Sequence, residues 1–588
     1  MDAKSLDARS VDVRWVDGHT LRLTTKADQP PDLPRTAPRE RVGTWSAVAP
    51  LARPAFRSLW IAAIASNIGT WAHEVGAGWH MTQLGASALV VSLVQASTTL
   101  PMFLLSLPAG AFADVVNRRR LMLVMQTGML VIATLLAIAA FGGKLPAGWL
   151  LAATLGLGIG AAMMNPAWQT AMTDLVPHDE LPAAAALNSV AMNLSRAVGP
   201  AIGGLLVARW GPPAAFALNA ASFAGLIAAL ALWRYSPPRM AAPAERFIGA
   251  MEAGVRYVRY SPHMKAQLVR AASFTLFASS LWALMPVIAR KHLGMGATGY
   301  GSLLACLGAG AVVGTFLQPR LRAVMAVNRI IVAATIVSAG ATVVIGLTST
   351  PLIAMVAMSL AGVAWVTMVV CLNVAAQAGT PSWVRARALA CYFTVFFGGM
   401  ALGSVAWGWT ADRLGIPAAL FIAAGGLVAG LATVPWFGLA TFSAEELRTG
   451  PHWEDPIVSR EIRAEDGPVV VTIEYRIAEE NVESFLAAMN PVAQTRYRDG
   501  AISWTLSRCT ENPERWLEVF MVESWAEHLR QHARVTFADR RLQAAAKEFH
   551  IGPEKPVVSH FIAVEVASRR TPAAGTRRGN AFPTARTP

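Results

Sequence analysis

From about Leu59 to Leu439 the chain is a succession of long apolar runs with short polar breaks. The runs begin near Leu59, Leu89, Leu121, Trp149, Ala183, Ala214, Ala271, Tyr300, Ile330, Leu352, Arg387 and Ala418. A helix rises about 1.5 Å per residue, so about 20 apolar residues cross the ~30 Å hydrocarbon layer of a bilayer. Each run is long enough, which predicts an all-α membrane protein with twelve transmembrane helices. After Leu439 the pattern changes to soluble alternation. Val469, Val471, Ile473, Tyr475 and Ile477 alternate with Thr472, Glu474 and Arg476, which predicts a half-buried strand. A helix is expected from Glu479 to about Arg498. Asp499-Gly500 opens a second strand with Ile502, Trp504 and Leu506 on one face, and Asn512-Pro513 turns it into a third, Trp516 to Trp525. A helix from Ala526 to about His550 and a strand from Val557 to Val564 complete the order βαββαβ. That order predicts a C-terminal α+β ferredoxin-like cytoplasmic domain.

The expected organisation follows from these shifts. Residues 1–54, with Pro30, Pro31, Pro34 and Pro38 among charges, have the composition of a disordered cytoplasmic tail. No apolar stretch with a small-residue cleavage site stands in it, so membrane insertion is expected to begin at the first span. A first six-helix bundle covers 55–234 and a cytoplasmic linker 235–265. The second bundle covers 266–442, a polar linker 443–466, the soluble domain 467–567 and a basic disordered tail 568–588. Within the first linker, Glu245 to Tyr260 puts Phe247, Met251, Val255 and Val258 on one helical stripe with arginines opposite. Such a helix is expected to lie against the membrane surface.

Internal repetition refines the picture. Gly110 and Arg118 correspond to Gly314 and Arg322, Pro177 to Pro381, and Gly211-Pro212-Pro213-Ala214-Ala215 to Gly415-Ile416-Pro417-Ala418-Ala419, all at an offset of 204 residues. Several matches at one offset predict two parallel six-helix repeats. In secondary transporters so built, the substrate site lies between the halves near the bilayer midplane.

Composition and charge narrow the classes further. The chain is 54% hydrophobic and 15% charged, which excludes an ordinary soluble enzyme. Its net charge of +14 suits an anionic membrane surface, and nucleic acid is not needed to explain it. Fifteen Lys and Arg lie in breaks on the side of the N-terminal tail against five on the other. By the positive-inside rule both termini are cytoplasmic in a bacterial-type inner membrane. Cys306, Cys371, Cys391 and Cys509 have no disulfide or zinc spacing. No nucleotide fingerprint, phosphate loop or nucleophile–base pair is apparent, so neither a cofactor nor ATP-driven transport is expected.

Candidate chemistry sits within the spans. Ionisable residues there are costly unless they face a cavity or a partner. Glu74 in the first span and Arg196 in the fifth are therefore the candidates for proton coupling, with His73 turned about 100° away as an interface histidine. Asn67, Trp71, Gln95, Asn165, Trp168, Gln169, Asn188, Asn193, Trp282, Asn373 and Gln377 supply an aromatic and amide surface for a small-molecule substrate. In the soluble part, His528 and His532 stand four apart on one helix. Two ligands make a weak metal motif, and a solvated or dimer-contact face explains them better, so no metal is assigned. Trp504, Trp525 and His560 are candidates to line a pocket beside the sheet.

Two motifs and their surroundings carry a resemblance. Gly110-Ala-Phe-Ala-Asp114-Val-Val-Asn117-Arg118-Arg119-Arg120 looks like the GxxxDxxGRR signature of the major facilitator superfamily. In it Gly110 permits close helix approach, Asp114 accepts hydrogen bonds or charge from the neighbouring half, and the arginines anchor the loop at anionic headgroups. Together Gly110, Asp114, Arg118 and Arg119 form the expected conformational gate. Asn117 stands where the signature has glycine, and asparagine tolerates the same left-handed backbone. Gly199-Pro200-Ala-Ile-Gly203-Gly204 resembles the GPxxGG signature of exporters. With Asn67-Ile-Gly69-Thr-Trp71, Leu181 to Ser189, Asn193 to Pro200 and Glu523 to His532, residues 55 to 565 resemble the enterobactin-exporter-like branch, the transmembrane secretion effector group. The resemblance implies the major facilitator fold and export of siderophores, antibiotics or hydrophobic metabolites. The expected mechanism is alternating access with proton antiport in a lipid bilayer, with dimerisation through the C-terminal domain left open. The alternative is a membrane-tethered regulatory or monooxygenase-like module whose working part is the last domain. His73-Glu74 departs from the uncharged polar pair of that group, so a proton role for Glu74 rests on physics alone.

Overall fold

The computed structural model describes residues 12–16, 20–24, 44–233, 247–439, 443, 445–450 and 462–564, with backbone alone at 12–16, 20–24, 44–47, 107, 110, 111, 113–115, 173, 178 and 247–250. The N-terminal stretch is not featureless: β1 (Asp12–Val16) pairs antiparallel with β2 (Thr20–Thr24), and a 3₁₀ turn spans Thr44–Ala52. Six long helices follow: α1 (Pro54–Gln83), α2 (Ala88–Val115), α3 (Arg118–Phe141), α4 (Ala147–Asp174), α5 (Leu181–Trp210) and α6 (Pro212–Leu232). After α7 (Phe247–Tyr260) come α8 (Pro262–Val287), α9 (Ala297–Val324), α10 (Val327–Leu347), α11 (Pro351–Ala378), α12 (Arg385–Leu414) and α13 (Ile416–Gly430). Proline opens α1, α6, α8 and α11, where its missing N–H is not needed and its fixed φ suits a first turn.

Among the described residues, eleven helices are long and apolar enough to cross a membrane. Of α1–α6 and α8–α13, the one outside that set is α1, which is 30 residues long but carries Asn67, Thr70, His73 and Glu74. Large apolar side chains stand exposed on the long helices, among them Val124, Phe316, Leu352 and Leu402, as lipid contact demands. Both bounds of α4 and α11, and of α5 and α12, differ by 204 residues. Gly211 (φ +78°) and Gly415 (φ +86°) make the same left-handed break before α6 and α13, a conformation that only glycine adopts without strain.

The C-terminal unit comprises β3 (Val469–Arg476), α14 (Val482–Asp499), β4 (Ala501–Arg508), β5 (Arg515–Val522), α15 (Trp525–Arg534), α16 (Phe537–Lys547) and β6 (Val557–Ile562). Its antiparallel sheet has the order β4-β5-β3-β6. Val469, Val471, Ile473 and Tyr475 bury the inner face of β3 beneath the helices, as their alternation requires. Three details differ from the sequence pattern. A bulge between Ala501 and Ser503 takes Ile502 out of the alternation, and it is exposed rather than beside Trp504 and Leu506. The single helix expected over 526–550 is two, because Thr536 and Asp539 form a capping box that starts α16 afresh. The third difference is α7, which buries Ala253, Gly254 and Tyr257 and leaves Val255 exposed.

That buried face of α7 is covered by protein. A Cβ on Gly254 would come within 2.8 Å of Arg387 at the start of α12. On its other side Tyr260 stacks on Tyr497 (5.1 Å) and Arg256 pairs with Glu527 (3.1 Å). The guanidinium of Arg534 lies 4.6 Å over Trp383, between α11 and α12. The C-terminal unit is thus docked on the bundle through α7 and the α11–α12 loop.

Candidate functional site

The end of the bundle at the α1–α2 turn is termed the Gly85 end, and the opposite one, at the α2–α3 turn, the Arg118 end. Two seams join the first six helices to the second six, α2 on α12 and α5 on α9. The α5–α9 seam is built from small residues. A Cβ on Gly204 would lie 2.9 Å from the Gly301 Cα, and one on Gly301 would lie 2.6 Å from the Pro200 carbonyl oxygen. Gly199 and Gly203 seat α5 on α1 in the same way, against Trp71 and Ala72. All four small residues of the GPxxGG motif, Gly199, Pro200, Gly203 and Gly204, are buried. At the Gly85 end of the other seam the Ala88 and Leu89 N–H groups donate to Asp412 of α12 (2.7 and 3.0 Å), so one helix caps the N-terminus of another. Arg290 reaches Thr82 (3.4 Å) and lies 5.7 Å over Trp79, which stacks on Tyr300. This end is closed across both halves. Losing a helix cap costs about 1 kcal/mol. Asp412→Ala should therefore lower the thermal unfolding midpoint of the detergent-purified protein, and Asp412→Asn should retain most of it.

Glu74 and Arg196 stand below that closure. Both are half-buried, and each lies within the other's electrostatic reach, although no ion pair joins them among the described residues. Arg196 spreads over Trp71, 5.8 Å from the ring centre. From there an aromatic chain crosses the middle of the bundle: Trp71 to Trp282 of α8 (6.1 Å), Trp282 to Trp365 of α11 (5.4 Å) and Trp365 to Phe396 of α12 (6.0 Å). Trp365, Tyr300 and Asp412 are absent from the residues singled out by sequence. An aromatic in an apolar run gives no signal, whereas Asp412, an acid in the last turn of a span, could have been noticed. His73 is buried against Phe216 (ring centres 4.9 Å) on the side of α1 facing α6.

Toward the Arg118 end the amides are arranged as two ladders. Gln169 donates to Asn165 (3.1 Å) on α4, and Gln377 to Asn373 (2.5 Å) on α11. Asn165, Gln169 and Gln377 are exposed. Asn67 reaches Met192 Sδ (3.7 Å), Asn193 donates to the Ser189 carbonyl, and Asn188 and Gln95 are half-buried. Trp168 packs into the apolar clusters near Leu175. In the loop motif, Arg118 pairs with Asp174 (3.1 Å), and Arg119 donates to the Leu230 and Ala231 carbonyls at the end of α6. These two arginines tie helices together instead of reaching outward. Asn117 is not left-handed (φ −57°): its side chain accepts from the Arg120 N–H and caps α3. Gly110 and Asp114 lie in α2, and what surrounds them is not among the described features.

The C-terminal unit holds a second concentration of polar groups. Glu518 is wholly buried and accepts from Arg496 Nε (2.9 Å), Tyr475 Oη (3.0 Å) and Trp504 Nε1 (3.0 Å). Burial pushes the Glu518 carboxyl up, but the Arg496 charge and these three donors outweigh it and leave it below the ordinary carboxylate value. His528, His532 and His560 come together beside Trp525. The first two are legible as a spacing on one helix, while the third arrives from β6 through the fold.

A family model described as transmembrane secretion effector matches residues 45–569. The staphyloferrin A transporter of Staphylococcus aureus is 22% identical over 258 residues, 43% of this chain and 64% of that protein, so the match spans just under two thirds of its length. The multidrug efflux pump Tap of Mycolicibacterium fortuitum is 26% identical over 376 residues, 61% of this chain and 89% of that one. Among solved structures, a POT family transporter in complex with 5-aminolevulinic acid superposes with a TM-score of 0.55 at 12% identity, covering 65% of this chain and 95% of the other.

Proposed function

The chain belongs to the transmembrane secretion effector family of the major facilitator superfamily, and on that footing we propose that it is a secondary active exporter of small molecules working by alternating access with proton antiport. In this reading α1 is the twelfth span. The 204-residue correspondence supports parallel repeats for the two sets of six helices, and the excess of arginine and lysine at the Arg118 end supports placing that end and both termini in the cytoplasm. In this reading the last unit is ferredoxin-like, which the β4-β5-β3-β6 sheet order supports although two helices stand between β5 and β6, and it serves as an accessory docked on the transporter.

The observation that carries the proposal is the pair of cross-half seams closed at the Gly85 end above Glu74, Arg196 and the tryptophan chain. The closed end would be the outer one, and the amide ladders on α4 and α11 would face a cavity open to the cytoplasm. A siderophore, drug or hydrophobic metabolite with aromatic and hydrogen-bonding groups would bind between Trp71, Trp282 and these amides. Rocking of the halves would open the glycine seam and close the Arg118 end. Glu74, a carboxyl within a span beside the Arg196 guanidinium, would take up a proton from outside and release it inside.

The test is retention of a panel of fluorescent drugs and siderophores by efflux-deficient cells expressing the protein, with and without a protonophore. Lower retention of at least one compound, restored by the protonophore, is expected. Equal retention across the panel, with the protein verified in the membrane, would count against export of these classes.

A further inference from the structure

We propose that His528, His532 and His560 of the C-terminal unit form a binding site for one borderline-soft divalent transition cation, of which Zn²⁺ is the type. The proposal stands apart from transport and holds or fails without it.

The geometry is assembled by two elements. His528 and His532 are one helical turn apart on α15, so both project from one face. His560 enters from β6, where it is paired with Val471 of β3, and Val471 is paired with Phe520 of β5. Residues paired across strands share a face of the sheet. Val471 and Phe520 are buried in the core beneath the helices, so His560 is aimed at α15 as well. The outcome is three imidazoles whose ligand atoms all lie within 4.8 Å of one another. His528 is wholly buried, and its ring centre is 4.7 Å from those of both His532 and His560.

The closest approach suits a shared cation. The two Nε2 atoms of His528 and His532 are 3.2 Å apart. In a tetrahedral site with Zn–N of about 2.0–2.1 Å, neighbouring nitrogens are separated by about 3.3–3.4 Å. A small contraction or expansion thus brings the ring nitrogens into a first coordination shell. One proton between two Nε2 atoms satisfies one lone pair at the cost of the other's donor, whereas a cation accepts both. Arg496, a nearby cation that would oppose a metal, has its charge met by Glu518 at 2.9 Å. Imidazole donors without thiolates or a carboxylate select Zn²⁺, Co²⁺, Ni²⁺ or Cu²⁺ over Mg²⁺ and Ca²⁺. Three protein ligands leave a fourth position for water or another small donor. The same helix carries Glu527 and Arg534, which dock on Arg256 and Trp383, so the ion sits within a turn of the contacts that hold the unit on the bundle.

The experiment uses the full chain, purified in detergent without a polyhistidine tag and stripped with EDTA, titrated with Co²⁺ and then Zn²⁺. One Co²⁺ per chain with the intense visible bands of tetrahedral nitrogen coordination is expected, displaced by one Zn²⁺. Affinity should fall at least tenfold in His532→Gln and in His560→Gln, two half-buried positions whose replacement leaves the core intact. Absence of a saturable tetrahedral spectrum, or one unchanged in both variants, would overturn the site. A measurement free of variants uses histidine carbethoxylation read by mass spectrometry. Zn²⁺ should protect His532 and His560, the two half-buried members, and leave His292 as reactive as before, and equal labelling of both with and without Zn²⁺ would equally overturn it.

Discussion

Glu74→Gln should abolish uphill export while ligand exchange continues. In proteoliposomes loaded with a compound that the retention panel identifies, export driven by a pH gradient is expected to fall at least about tenfold, a barrier change of roughly 1.4 kcal/mol or more. Counterflow of the same compound with no gradient should stay within about twofold of wild type. Glutamine keeps the size and one hydrogen-bonding oxygen of the side chain and removes only its proton chemistry. The variant therefore separates coupling from binding. Arg196 extends the test, since it shares the electrostatic environment of Glu74 and lies over Trp71 at the edge of the aromatic chain. Arg196→Gln alone should weaken both gradient-driven export and counterflow, because it alters the Trp71 surface as well as the charge. The double variant should be no worse than Arg196→Gln, since two residues acting as one unit are not additive. Gradient-driven export at wild-type rate in Glu74→Gln would remove Glu74 from the coupling mechanism and return the role to another ionisable group.

Much of the frame was legible because its physics is local. A run of apolar residues long enough for the bilayer, bounded by proline and glycine, needs no tertiary information, and eleven of the long helices can be recognised that way. Repetition is equally visible in the chain, since the 204-residue offset recurs in the bounds of α4 and α11 and of α5 and α12. What escaped depends on residues far apart in the chain. The apolar stripe of α7 does not by itself say which face protein covers, and Val255 on it is exposed. In the fold the helix is gripped between Arg387 and Tyr497, and small Gly254 decides which face is buried. The Ile502 bulge is a mismatch between two strands, invisible in either alone. The break at Thr536 was readable in principle, because Thr536 and Asp539 have capping-box spacing, but the amphipathic pattern running through it hid the signal. Of the candidate site, Trp71 and Trp282 are brought together while Trp365, which continues the chain, resembles any core aromatic in sequence. His560 joins the histidine pair only through the β3–β6 register.

Gly301→Leu should abolish transport and drive the halves apart at the Gly85 end. A leucine there would place its Cβ 2.6 Å from the Pro200 carbonyl oxygen and 2.8 Å from the Gly204 Cα, before the rest of the side chain is counted. Real Cβ atoms do not approach backbone so closely, and neither partner is a flexible side chain that could swing aside. The alternatives are separation of α5 from α9 or local distortion of both helices, and overpacking of this kind costs about 1–3 kcal/mol or more. If the two states lie within a few kcal/mol of one another, that penalty falls on the state closed at the Gly85 end and shifts the population to the other by tenfold or more. Spin labels on Lys144, in the α3–α4 turn, and Thr348, in the α10–α11 turn, would report the separation of the halves at that end. Their distance distribution should move to longer values in Gly301→Leu, with counterflow lost because the seam no longer closes. Gly340→Leu is the control: no heavy atom lies within 4 Å of a Cβ built there, and it should leave both distance and counterflow unchanged. A short distance and normal counterflow in Gly301→Leu would mean that the α5–α9 seam is passive packing. The gating motion would then have to be sought at the α2–α12 seam, where Asp412 holds the α2 N-terminus.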